Sequence, residues 1–155
     1  MNDVRLLDKI IELRTVCKII SHLKSQLIER LPHYGHDALF LQNDEITTGL
    51  LNNKTEIKIH LLTGELLYFD SENGHIVDLT HDKFDKRLES IVTKYGLDLP
   101  KMSSFTLRHK YLSEYIPFAK KVNKSLELFR MKLRDHFTQV HLWPDGFDFS
   151  VESFI

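Results

Sequence analysis

Apolar residues recur at spacings of three and four, or their sums, along Leu6, Ile10, Leu13, Cys17, Ile20, Leu27 and Leu31. Leu7, Ile11, Val16, Ile19 and Leu23 widen that stripe. The period is that of a helix with one broad apolar face, so residues 3–31 are expected to form one long, largely buried helix. Asn2 or Asp3 can cap its start, and Arg30 suits the negative end of its dipole. Pro32 ends it by holding Leu31 away from helical angles.

From Ala38 the period shortens. Ala38 to Gln42 and Ile46 to Leu51 read as strands joined by the turn pair Asn43-Asp44. Thr55 to Leu61 alternates: Glu56, Lys58 and His60 point one way, Ile57, Ile59 and Leu61 the other. After Thr63-Gly64, the run Leu66 to Phe69 is apolar on both faces, as in a central strand. Asn73-Gly74 suits a type I′ hairpin, with His75 to Leu79 returning. These pieces make an antiparallel meander of four or five strands.

Helical period resumes over 82–95, where Phe84, Leu88, Ile91 and Tyr95 share a face and Gly96 suits the position past the end. Residues 97–116 contain Pro100 and Ser103-Ser104, and the pattern leaves Leu107 to Tyr115 open between helix and strand. A last helix is expected over 117–137. Its stripe is Phe118, Val122, Leu126, Phe129, Leu133 and Phe137, with Pro117 in the first turn. Gln139 to Trp143 reads as a C-terminal strand, closed by the turn Pro144-Asp145-Gly146. The expected class is α+β in one domain, 1–155, with the helices on one face of the sheet.

Composition changes this picture little. At 155 residues, 42% hydrophobic and 28% charged, the chain can bury a core without disulfides or metal. A formal charge of −1 gives no overall drive toward nucleic acid or anionic membranes. The single cysteine, Cys17, fits a reducing compartment, and its place on the apolar stripe reads as inert core. The N-terminus lacks a signal-peptide pattern, and no apolar run spans a bilayer. A cytoplasmic location is the expectation.

The chemistry-bearing residues concentrate near the C-terminus. On a strand over 139–143, His141 and Trp143 share a face, with Asp145 and Asp148 close beyond. Imidazole and carboxylates can move protons or hold a metal, and an indole can stack on a planar or cationic ligand. Against that, a tryptophan beside a proline is usually a core plug with its NH bonded to backbone. His33 and His36, three apart, can chelate a divalent metal if a third ligand joins them, but no cofactor is evident. Lys120, Lys121 and Lys124 lie on a basic face able to contact phosphates, without aromatic residues interleaved for base stacking. His60 and His75 read as solvated, and His81 precedes a helix and lies near its start. There is no phosphate loop, nucleophile elbow or paired-cysteine zinc motif.

The segment Gln139 to Ser150 resembles the ending of a family classed only as a domain of unknown function, whose members close on a phrase like SPVHFFWGSFDLA. Phe129-Arg130-Met131-Lys132-Leu133 sits where that family has a phrase like FRSRF, and Thr47-Thr48-Gly49-Leu50 resembles its GLTT element. The likeness is strongest over residues 129–150. The family's glycine-lysine pair before the phrase and its RFSGR ending are missing here. The resemblance implies an α+β fold and a shared C-terminal site, and no chemistry. Three functions are therefore expected in order. The first is an interaction or binding domain, with a homo-dimer among its forms. The second is a hydrolase using His141 with Asp145 or Asp148, and the third is nucleic-acid binding through 117–137.

Overall fold

The computed structural model describes residues 3–31, 35–101, 109–133, 139–145 and 147–151, with backbone only for 3–10, 109–114 and 133. Helix α1 runs Asp3–Leu27. Five strands follow: β1 (Phe40–Gln42), β2 (Glu45–Thr47), β3 (Glu56–His60), β4 (Glu65–Phe69) and β5 (Gly74–Asp78). Then come α2 (Phe84–Lys94), α3 (His109–Leu133), β6 (His141–Trp143) and β7 (Asp148–Ser150). The α+β class with an antiparallel five-stranded meander, ordered β1-β2-β3-β4-β5, is as the periodicity requires. Among the described residues no helix is long and apolar enough to cross a membrane.

The sheet's inner face carries Ile46, Ile59, Leu66 and Val77 in one register row, with Ile57 and Tyr68 in the next. These side chains pack in one buried cluster with Leu13, Val16, Cys17, Ile20 and Leu23 of α1, and Leu88 and Val92 of α2. Burial pushes the Cys17 thiol far up, which keeps it protonated and inert. The outer face alternates as expected, with Glu56, Lys58 and His60 half-exposed.

Several boundaries move for physical reasons. Helix α1 stops at Leu27, a turn before the expected end, because Asn52 Nδ2 donates to the Leu27 carbonyl at 2.7 Å. That satisfies a helix-end acceptor from a loop 25 residues away. Arg30 therefore lies past the helix, while the capping candidates Asn2 and Asp3, and Pro32, fall outside the described backbone or side chains. The turn expected at Asn73-Gly74 sits earlier. The Asp70 carboxylate accepts from the Glu72 and Asn73 amides, each at 2.8 Å, and Gly74 is the first residue of β5. A Cβ on Gly74 would stand 3.0 Å from the Phe69 ring, so the glycine serves close packing across the strand pair. Helix α3 begins two turns before Pro117, which is interior, and its described part ends at Leu133. Of its expected stripe, Phe118 and Phe129 are exposed; Ile116 and Ala119 face the core instead.

The C-terminal strand is half of a hairpin. β6 pairs antiparallel with β7, opposing Trp143 to Asp148 and His141 to Ser150. Leu142 is stitched to Leu39, just before β1, by two backbone hydrogen bonds of 2.8 and 2.9 Å. The alternation expected for 139–143 holds: Val140 and Leu142 are buried, His141 and Trp143 half-exposed.

Candidate ligand cleft

Lys24 is the least expected side chain in the core. It lies seven residues after Cys17 and four after Ile20, on the apolar line of α1, so helical geometry carries it inward. It is 3% exposed. Its ammonium donates to the Ala38 carbonyl at 2.5 Å and the Gly35 carbonyl at 3.1 Å. One turn earlier, Ser21 Oγ donates to the Asp37 carbonyl at 2.8 Å. Together they fasten the 35–38 loop along α1. The ammonium also stands 5.4 Å from the Phe40 ring centroid, a cation–π distance. Burial lowers its pKa from 10.5 to about 8, against the opposing pull of Asp37. An ammonium has three donors, and two are spent on carbonyls.

Lys24 borders an open cleft of about 580 Å³. One wall is Leu27, Ile28 and Leu31, with Glu29 on the rim; the other is Thr48, Leu50, Leu51 and Asn52. The second wall is held by a knot of hydroxyls. Thr47 Oγ1 donates to Glu56 Oε1 at 2.8 Å and accepts from the Gly49 amide at 2.9 Å. Thr48 Oγ1 donates to the Gly49 carbonyl and accepts from the Ile57 amide, at 2.7 and 3.1 Å. Gly49 takes φ +69°, which a glycine adopts without strain. The cleft lining is thus mixed: five aliphatic residues against one ammonium, the Glu29 carboxylate on the rim and the neutral polar groups of Thr48 and Asn52.

The aromatic row beside it reaches the C-terminal hairpin. Phe40 meets His141 edge-on at 5.3 Å, and His141 meets Trp143 edge-on at 5.5 Å. The fold therefore gathers His141 and Trp143 with Phe40 and Lys24. Trp143 is half-buried, and its Nε1 donates to Ser150 Oγ at 2.6 Å, a side chain on the paired strand in place of a backbone carbonyl. Asp145 is drawn away: Lys18 of α1 holds its carboxylate at 2.9 Å, which keeps the carboxyl below its ordinary pKa. Arg14 donates to the neighbouring Pro144 carbonyl at 3.4 Å. Asp148 is exposed on β7, opposite Trp143.

The remaining candidates are dispersed. His36 accepts from the Leu31 amide at 3.3 Å and faces Asp37 at 3.4 Å; His33 lies outside the described residues. Among the described residues no three His, Cys, Asp or Glu side chains gather as a metal site. Lys120 pairs with Asp44 at 2.6 Å, while Lys121 and Lys124 are exposed on α3. His75, expected to be solvated, joins a chain: its Nε2 is 2.7 Å from the Tyr95 hydroxyl, which in turn bonds the Asp70 carboxylate. Tyr68 packs at a tilt against Tyr95, ring centroids 4.7 Å apart, and its hydroxyl pKa is pushed up to about 12 by burial. This chain ties the end of α2 to the β4–β5 turn.

The chain matches no protein-family model, no curated protein and no solved structure.

Proposed function

We propose that this chain is a cytoplasmic binding domain whose ligand site is the cleft beside Lys24. The observation that carries the reading is the buried ammonium at the edge of an open cleft of mixed polar and aliphatic lining, held by two backbone carbonyls with one donor left over. An ammonium in that position favours a ligand with an anionic or carbonyl acceptor group, and the aliphatic walls favour an apolar body behind it. No metal or redox group is needed for such recognition.

Octanoate is a suitable probe, with octylamine as its charge-reversed control. Titrating isotope-labelled protein and following backbone amide resonances should move residues 27–31 and 48–52 with octanoate and not with octylamine. Absence of saturable shifts there, or equal shifts with both compounds, overturns the assignment.

A further inference from the structure

Helix α3 turns an unusual surface to solvent. At about 100° per residue, Met131, Lys124, Leu128, Lys121, Lys132 and Phe118 follow one another around roughly 140° of the helix. Phe118 is 63% exposed, Met131 70% and Leu128 50%. Between Tyr115 and Lys132 no acidic residue falls in that arc, and within α3 only Glu114, one turn before Phe118, has an acidic position there; Glu127 lies outside it and is paired with Arg130 at 2.9 Å. Large apolar side chains on an exposed helix face, each within three or four residues of a lysine, are costly to leave in water without a use.

The sheet's outer face has the opposite character. Register places Glu45, His60, Glu65 and Asp78 in one row across β2 to β5, and Lys58, Leu67 and Ile76 in the next. Lys58 is occupied by Glu45 at 2.9 Å and lies over the Phe69 ring. With Glu56, this face sets four carboxylates against one ammonium, and Ile76 and Leu62 are both about half-exposed.

We propose that the exposed face of α3 docks on the outer sheet face of a second copy of this chain, head to tail. Lysines then meet carboxylates, and Leu128 and Phe118 meet Leu67 and Ile76. A symmetric α3-to-α3 contact would set lysine against lysine and is disfavoured. Because the two surfaces differ, each copy retains one unused face, so association continues into a ring or a short filament. Phosphate binding by the same helix would use the lysines and leave the apolar residues in water.

Sedimentation velocity over a wide concentration range tests this. The wild type should grow from monomer to larger species, and added salt should weaken the growth. Lys124→Glu/Leu128→Glu and Glu65→Lys/Ile76→Lys, all at exposed or half-exposed positions, should each stay monomeric with unchanged circular dichroism. Mixing the two should restore a species of two chains and no larger, since one intact face of each kind remains. A wild type that stays monomeric, a mixture that stays monomeric, or a single variant that still self-associates overturns the proposal. So does wild-type monomer that binds duplex DNA or anionic phospholipid vesicles through this helix.

Discussion

Replacing Lys24 with methionine keeps the length and apolar stem of the side chain while removing the ammonium. The structure sets two opposing effects. The Gly35 and Ala38 carbonyls lose their charged donor, and such bonds are worth about 1.5–3 kcal/mol each. The fold is relieved of burying a cation: a pKa lowered from 10.5 to about 8 represents on the order of 3 kcal/mol of preference for the neutral amine. Near neutral pH the variant should therefore be less stable by up to about 3 kcal/mol, the two carbonyls offsetting or outweighing the relief. The sharper signature is in pH. Between about pH 8 and 10.5 the unfolded chain holds a proton on Lys24 that the folded chain has released. Stability from this group therefore rises with pH across that window, by roughly 2 kcal/mol, and is lost on going down through it. Urea unfolding of wild type and Lys24→Met at several pH values isolates it, because other titrations cancel in the difference. The wild type should gain on the variant as pH rises from about 8 to 10. Parallel profiles would refute the claim that this ammonium is desolvated.

The hairpin and the turn clasp make further tests. Trp143→Ala should cost about 2 kcal/mol, below the 3–5 typical of a fully buried aromatic, because the indole is only half-buried; thermal unfolding reads this directly. Ser150→Ala removes the acceptor of the indole NH and should cost about 1 kcal/mol in the same assay. Tyr95→Phe breaks the link between His75 and Asp70. It should lower stability by about 1 kcal/mol and speed amide exchange at the β4–β5 turn. Cys17, buried with a raised pKa, should resist a thiol reagent until the protein unfolds; rapid native labelling would mean α1 opens readily.

The fold was legible where period and turn chemistry agreed. The alternation in Thr55 to Leu61 and the turn residues Asn43 and Gly64, both at positive φ, fixed the meander. Asn73-Gly74 misled because the Asp70 carboxylate supplies the turn and the glycine serves packing against Phe69. The end of α1 was hidden because its cap, Asn52, is distant in sequence. On α3, apolar residues line two faces, and periodicity alone cannot tell which meets the core; the small Ala119 does, while Phe118 does not. The exposed Phe118 and Phe129 flank the lysines of α3 on one side and do not interleave with them. His141 and Trp143 were visible as a shared strand face, but their link through Phe40 to Lys24 depends on tertiary structure. The one sequence signal for Lys24 was its position on the apolar line of α1, where a lysine is out of pattern.

Octanoate affinity, measured by calorimetry for wild type and Lys24→Met at about pH 7 and about pH 9.5, tests the ligand cleft most directly. A carboxylate prefers the protonated amine, so wild-type binding should weaken as pH rises through about 8. The variant should bind feebly at both pH values. Equal affinity in the two proteins, or wild-type binding unchanged across that interval, would contradict the role given to Lys24.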